Sequence, residues 1–249
     1  MVILKTVSEL AVMREGGKIA SGALELAGTL CKSGVTTGYI SNKVREYIEK
    51  RNARPSFLGY NGFKGSACIS VNDEVIHGIP GKRMLADGDI VSVDIGAFYK
   101  GYHADNAYTF KIGSVSSQAE HLIKITKKSL EAAINMAMMG YRLGDISNIV
   151  QSTVEREGYS AVQDYVGHGI GRKLHESPEI PNFGKAGKGI RLVRGMTLAI
   201  EPMINAGKHD IYVDRDGWTV KTKDGSLSAH FEHTVAITDN GPAILTINN

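Results

Sequence analysis

Three carboxylates and a histidine lie in apolar or glycine-rich sequence, where a charged or polar side chain is unusual unless it has a chemical role. Asp94 and Glu201 each end an apolar run, GDIVSV and GMTLAI, and Glu232 lies in the β-rich run AHFEHTVAIT. His168 lies between two glycines in GHGIG. A buried carboxylate is costly unless it is paired or holds a metal, and flanking glycines indicate close backbone packing around the imidazole. These residues are candidate metal ligands.

Asp105 adds a fourth carboxylate through a predicted β-hairpin. The strand-like runs 89–98 and 102–112 flank a short turn at 99–101, and Asp94 and Asp105 are almost symmetric about it. In an antiparallel hairpin these two residues should lie opposite each other within a residue or two. Like charges facing each other destabilise a ladder unless a cation lies between them. The alternative is a looser hairpin that leaves Asp105 in solvent.

The five side chains together define a chemistry. Carboxylates with one imidazole suit divalent Mn, Fe, Co or Zn, and they do not suit a structural zinc held by thiolates. Four carboxylates exceed the charge of one divalent cation, whereas two cations about 3.5–4 Å apart would balance them. A water between two such ions becomes a hydroxide-like nucleophile near neutral pH. The set is therefore typical of a hydrolase.

An internal repeat indicates how these residues come together. The segments 34–44 and 140–150 both fit G-x-x-x-G-x-I-S-N-x-V, and GDIVSVD ending at Asp94 matches GMTLAIE ending at Glu201. We interpret the chain as one domain, 1–249, containing a duplication.

The repeat also makes a second pair of histidines equivalent. His77 in HGIP matches His175 in HESP. The halves run roughly over residues 1–112 and 113–249, and a site between them would take residues from both.

Local signals place the elements of both halves. Thr6 with Glu9, and Ser117 with Glu120, each fit a capping box at the start of a long helix. In the second half the segments 193–203, 218–223 and 229–238 are predicted to contain strands and loops.

The strand pattern also orients Glu232. Alternation along a strand places Glu232 on the same face as His230 and Thr234, and Phe231 and His233 on the other. The alternative for Glu232 is a solvated position on an exposed face.

Composition excludes several classes of protein. The chain has 249 residues, a net charge of +3 and only two cysteines, Cys31 and Cys68. The charge is too small to indicate nucleic-acid binding, and two cysteines do not make a disulfide framework. Neither a signal-peptide core nor an apolar run of membrane-spanning length is evident. We expect a cytoplasmic protein with no membrane or specific nucleic-acid partner.

The motifs resemble those of the bacterial type I methionine aminopeptidases. The resemblance rests on SVNDEVIHGIP, VSVDIGAFYKGYHAD, GHGIGRKLHE, AIEPMINAG, GWTVKTKD and AHFEHTVAIT, and it covers about residues 5–247. It implies the α+β pita-bread fold: two pseudo-symmetric halves with antiparallel sheets covered by helices and the active site between them. Only 26 residues separate His175 from Glu201, which leaves no room for the helical insertion of the type II subfamily.

The resemblance implies a role for each candidate ligand. Asp94 would chelate one of two divalent metal ions (Co, Mn, Fe or Zn), and Asp105 and Glu232 would bridge both. His168 and Glu201 would bind the second ion, with Glu201 also close to the nucleophilic water.

The resemblance also implies the substrate contacts. His77 would contact the scissile amide and stabilise the intermediate, and His175 would hydrogen-bond the scissile carbonyl. Leu174, before this second histidine, replaces an aromatic residue that is frequent in the family and could reshape the pocket rim. The methionine side chain would lie among Tyr60, Phe63, Cys68 and Trp218.

The function implied is removal of the initiator methionine from nascent polypeptides, with preference for a small second residue. A monomer in transient contact with the ribosome is expected. One alternative is an Xaa-Pro aminopeptidase-like hydrolase, which usually carries a large additional N-terminal domain. The other is a binding module of the same fold that has lost catalysis, which would be expected to lack some of the ligands.

Overall fold

The structure, a computed structural model, describes residues 1–247. The helices are α1 (Val7–Leu30), α2 (Thr37–Glu49), α3 (Ser117–Met136) and α4 (Leu143–Glu155), with a 3₁₀ turn at Tyr60–Gly62. The strands are β1 (Arg54–Pro55), β2 (Cys68–Val71), β3 (Glu74–Ile76), β4 (Ile90–Tyr99), β5 (Tyr102–Lys111), β6 (Ser160–Ala161), β7 (Gly167–Gly169), β8 (Glu176–Ile180), β9 (Thr197–Ile200), β10 (Met203–Asn205), β11 (Ile211–Val213), β12 (Val220–Thr222), β13 (Ser228–His230), β14 (Glu232–Thr238) and β15 (Gly241–Ile244).

One large antiparallel sheet joins the two parts of the chain. Its strand order is β1-β4-β5-β14-β9-β7-β8, with β2 added beside β4 and β15 beside β14. The pairing of β5 with β14 connects strands from the two predicted halves. Two three-stranded sheets, β13-β10-β6 and β11-β12-β3, flank it.

The helices cover one face of this sheet. Helices α1 and α2 share an apolar core with Val91, Val93 and Ile95 of β4, and helices α3 and α4 share one with residues of β9 and β14. Because side chains alternate along a strand, Asp94 points away from the helices. Asp94 lies inside β4, since that strand continues to Tyr99. None of the helices within residues 1–247 combines the length and apolar composition that a membrane span requires.

One predicted helix cap is confirmed and the other is wrong by a residue. Thr6 and Glu9 form the predicted capping box at the start of α1. At α3 the cap is Ser116 and not Ser117, because the Ser116 hydroxyl accepts from the Ala119 N–H at 3.2 Å. Glu120 instead forms an ion pair with Lys111 at 2.7 Å.

Local geometry shapes the strands around the site. The β4–β5 hairpin turns through Lys100 and Gly101, whose φ angles of 47° and 90° suit a two-residue hairpin turn. Of the three loop-and-strand segments predicted in the second half, 218–223 contains β12, and the other two each contain a break between strands. Segment 193–203 breaks at Glu201 and Pro202, where proline has no N–H for a ladder, and segment 229–238 breaks at Phe231.

Candidate metal centre

Three neighbouring strands bring two of the carboxylates into one row. Asp94 of β4 pairs with Ala107 of β5, and Ala107 pairs on its other side with Glu232 of β14. Directly paired residues share a face of the sheet, so the small alanine leaves space between the two acids. Cys68 of β2 pairs with Asp94 and extends the row.

A second row carries Asp105 and His168. Asp105 is offset from Asp94 by two residues in the hairpin register, as its symmetry predicts. The Thr234 hydroxyl bonds to both the N–H and the carbonyl of Asp105, each at 2.9 Å. Ala199 of β9 pairs with Thr234 on one side and His168 on the other. Asp105 and His168 therefore face the same pocket.

Close packing fixes the His168 backbone. A side chain on Gly167 would meet the carbonyl oxygen of Ala199 at 2.5 Å, and one on Gly169 would come still closer to that of Ser177. These distances leave no room for a Cβ atom. The close packing expected from GHGIG is present.

Glu201 enters the site from the break after β9. Its Oε1 lies 3.5 Å from His168 Nε2, and its carbonyl accepts from the Asn182 side chain at 3.0 Å. Leaving the ladder at Glu201 and Pro202 is what lets this carboxylate reach the pocket.

Burial sets the ionisation of the cluster. Loss of solvent raises the pKa of Asp105 to about 7. Burial, with the neighbouring carboxylates adding to it, raises the pKa values of Asp94, Glu201 and Glu232 well above their ordinary range. Burial lowers the pKa of His168 to about 3, and the charge of the nearby His175 contributes in the same direction. The imidazole is therefore neutral at pH 7, the form that binds a metal.

The cluster fits a divalent cation. Asp94 Oδ1, Asp105 Oδ1 and Glu232 Oε1 are buried without a hydrogen-bond partner among residues 1–247. One ligand atom each from Asp105, His168 and Glu232 lie within 4.8 Å of one another. Buried polar atoms normally have partners, and hard oxygen ligands with one imidazole suit such an ion.

The cluster forms one wall of a cavity of about 380 Å³ that contains every candidate site residue. His77 follows β3 with φ at 59°, a conformation uncommon outside glycine. Strained backbone of this kind is concentrated at functional sites. The ring of His77 lies edge-on to Tyr165, with centroids 5.6 Å apart. Burial lowers the pKa of His77 to about 4, and the charge of the nearby His175 contributes in the same direction.

His175 lies at the mouth of the cavity beside Tyr60. Its Nδ1 is 2.7 Å from the Tyr60 hydroxyl, and its ring centroid is 4.3 Å from that of His168. Tyr60 is partly exposed, so it forms the rim of the cavity.

An apolar slot opens beside the cluster. Phe63 and Trp218 meet edge to face with ring centroids 5.1 Å apart, and Cys68 and Leu174 are buried next to them. Burial, followed by the charges of the nearby carboxylates, raises the pKa of the Cys68 thiol well above its usual value. Cys68 is therefore a neutral, apolar wall at pH 7.

Three further residues touch this site without belonging to any of the predicted roles: Tyr165, Thr234 and His230. Period-two alternation had already placed Thr234 and His230 on the same face as Glu232. Tyr165 lies three residues before His168 in DYVGHG, and only the folded loop brings it to His77.

Comparisons with known proteins agree with this architecture. A model of metallopeptidase family M24 matches residues 11–239. The methionine aminopeptidase of Clostridium acetobutylicum is 51% identical over 99% of both chains.

Solved structures show the same fold. The methionine aminopeptidase of Thermotoga maritima superposes with a TM-score of 0.98 at 46% identity, over 100% of both chains. The prolidase of Pyrococcus furiosus shares the fold with a TM-score of 0.81 at 24% identity, and the match covers 66% of that longer chain. The predicted pita-bread fold and the predicted family are confirmed. The chain belongs to metallopeptidase family M24 and, within it, to the methionine aminopeptidases.

Proposed function

We propose that this chain removes the N-terminal methionine of nascent polypeptides and prefers a small residue after it. The observation that carries the proposal is the juxtaposition of unpartnered buried carboxylates with a narrow apolar slot in one cavity. The carboxylates suit metal-dependent hydrolysis, and the slot suits an unbranched apolar side chain.

Two divalent cations would balance the carboxylates, and Co, Mn, Fe and Zn all suit the donor set. Asp105 and Glu232 are the bridging candidates, because their strands lie between those of Asp94 and His168. When bound, the cations supply charge that polarises the scissile carbonyl and lowers the pKa of a water toward neutrality. The proposed ligands are Asp94, Asp105, His168, Glu201 and Glu232.

The slot binds the methionine side chain. Phe63 and Trp218 form the aromatic walls of the slot, and Cys68 forms its floor. Tyr60 lies at its rim. A thioether packs well against aromatic rings, and a side chain branched one carbon earlier would clash with these walls.

The two histidines hold the scissile amide. If the Tyr60 hydroxyl donates to His175 Nδ1, then the neutral imidazole carries its proton on Nε2 and can donate it to the scissile carbonyl. His77, fixed between Tyr165 and Trp218, contacts the amide from the other half of the repeat.

Glu201 handles the proton. Its carboxylate accepts a proton from the attacking water and returns it to the leaving amine as the C–N bond breaks, which balances the reaction. His77 and His175 stabilise the charge that develops on the carbonyl oxygen.

We also propose the cellular setting. The chain acts as a single catalytic domain, 1–249, that arose by duplication near residue 112. It works in the cytoplasm as a monomer on emerging polypeptide N-termini, with a transient ribosome contact.

Hydrolysis of four peptides tests the proposal. Met-Ala-Ser should be cleaved in the presence of Mn²⁺, and an Ala-Pro peptide should not. Leu-Ala-Ser should have a kcat/KM about 10–200-fold lower, the range by which an apolar pocket separates similar side chains. Met-Leu-Ser should also be slow, because the histidines crowd the second residue.

Each rival predicts a different pattern. Preference for Ala-Pro would indicate an Xaa-Pro peptidase, and no cleavage of any peptide would indicate a non-catalytic module. Equal kcat/KM values for the Met-Ala-Ser and Leu-Ala-Ser peptides would contradict the pocket assignment alone.

A further inference from the structure

Glu201 has a second imidazole beside its other carboxylate oxygen. His230 Nε2 lies 3.6 Å from Glu201 Oε2, while His168 Nε2 lies 3.5 Å from Oε1. His230 is 1% exposed, and its Nε2 has no hydrogen-bond partner within residues 1–247. A buried polar atom without a partner calls for an explanation.

The backbone holds His230 firmly. It ends β13 and pairs with Met203 of β10. The Thr109 hydroxyl accepts from its N–H at 2.9 Å and donates to its carbonyl at 2.8 Å. The backbone of His230 is thus held from two neighbouring strands, immediately before the break at Phe231.

The chemistry of the pair fixes where the proton belongs. A carboxylate only accepts hydrogen bonds, so an imidazole that faces it favourably carries a proton on the facing nitrogen. A neutral imidazole has a single N–H, which can lie on either ring nitrogen. Placed on Nε2, that proton points to Glu201.

We propose that His230 is a positioning residue for Glu201. Its Nε2–H holds Oε2, which keeps Oε1 turned toward His168 and the cation site. The separation is just outside direct hydrogen-bond range, as is common for such contacts before a complex forms. This inference rests on the proposed function and assigns a partner to its proton-handling carboxylate.

Mn²⁺ titration of metal-free protein by calorimetry tests the inference with two variants. His230→Leu removes the donor and should weaken Mn²⁺ binding by about 10–100-fold, the usual cost of losing a partner of a metal ligand. His230→Gln keeps an N–H donor and should bind within about threefold of the wild type. With Mn²⁺ saturating, kcat on Met-Ala-Ser should fall in the leucine variant and KM should change little.

His233→Leu is the matched control. His233 lies on the opposite face of β14, and its Nδ1 is 2.9 Å from the Thr246 hydroxyl. Its replacement should lower the melting temperature without changing the Mn²⁺ affinity. A purely structural role for His230 would give the same pattern and would overturn the proposal.

Imidazole NMR of the Zn²⁺-loaded wild type, in which bound cations keep Glu201 ionised, gives a readout on the wild-type fold. The His230 ring should carry its proton on Nε2, and its signal is identified by its loss in His230→Gln. A proton on Nδ1 would overturn the proposal, as would loss of a whole binding event in His230→Gln, which would make His230 a ligand. A wild type that neither binds Mn²⁺ nor cleaves Met-Ala-Ser would instead refute the proposed function.

Discussion

The molecule buries carboxylates in two neighbouring regions and satisfies them in opposite ways. Glu176 accepts from Lys5 Nζ at 2.6 Å and from the Lys173 N–H at 3.1 Å, and the side chains of Lys5 and Glu176 are both 3% exposed. In the pocket, Asp105 and Glu232 each bury an oxygen that has no partner within residues 1–247. The first region supplies its own counter-charge, whereas we propose that cations supply it in the second.

Within one short segment, one residue contributes to stability and its neighbour to the proposed chemistry. Glu176 directly follows His175, so the ion pair with Lys5 anchors the strand that presents this histidine to the pocket. Repulsion among buried like charges destabilises the metal-free pocket. Breaking each region should therefore affect a different property.

The largest effect is expected from Asp105→Asn. The change removes a proposed bridging charge, so activity on Met-Ala-Ser should be abolished. A loss under tenfold, ~1.4 kcal/mol of transition-state stabilisation, would be too small for a bridging role. The metal-free variant should unfold at a temperature no lower than wild type, because one buried charge has gone. Kinetics and thermal unfolding on the same sample measure both.

Asp89→Asn is the control for this prediction. Asp89 accepts from the Asn72 side chain at 2.7 Å and from the Ala86 N–H at 2.9 Å. Like Glu176, it therefore has its hydrogen-bond partners within the protein. Its loss should cost about 1 kcal/mol of unfolding free energy and leave activity intact. Retention of activity in Asp105→Asn would refute the bridging role.

His175→Ala tests the link between the two regions. It should lower kcat by about 10²–10⁴-fold, the usual contribution of such assistance, while cation binding persists. Calorimetry with Mn²⁺ decides between the roles, because a lost binding event would make His175 a ligand. The surface variant His121→Ala should leave kcat unchanged.

Lys5→Met tests the region in which Glu176 is paired with Lys5. Removing one partner of a buried ion pair costs about 3–5 kcal/mol, so urea unfolding should show a loss of that size. The double variant Lys5→Met/Glu176→Met should recover much of it, since apolar replacement of the whole pair is often neutral. A double variant as unstable as the single one would show that the pair is not coupled.

The smallest effect is expected where charges are exposed. Lys18 lies 3.1 Å from Glu15 on the surface of α1, and a pair at this helical spacing contributes about 0.2–0.5 kcal/mol. Glu15→Gln should change the free energy of unfolding by no more than that. If Glu15→Gln lowered the free energy of unfolding as much as Lys5→Met does, burial would not explain why the two ion pairs differ in strength.

Much of the pocket could be predicted from local pattern. The symmetry of the β4–β5 hairpin predicted that Asp94 and Asp105 lie near each other, because hairpin register follows from the turn. Alternation predicted the pocket-facing side of Glu232. The repeat predicted that residues from both halves meet.

Other features depend on the folded chain. The apolar run GMTLAI predicted a strand that ends at Glu201, and β9 ends one residue earlier. The run did not show how the break at Glu201 and Pro202 would direct this carboxylate into the site. The Lys5–Glu176 pair joins residues 171 positions apart, and no local periodicity encodes such a contact. The cap of α3 was misassigned because adjacent serines offer the same local signal.

The central claim is that the unpartnered pocket carboxylates hold the cations on which hydrolysis depends. The most direct test strips the wild type of metal and measures hydrolysis of Met-Ala-Ser during stepwise addition of Mn²⁺. We expect no hydrolysis at the start and activity that rises with the binding of up to two Mn²⁺ per chain. Full activity in the metal-free protein would contradict the account.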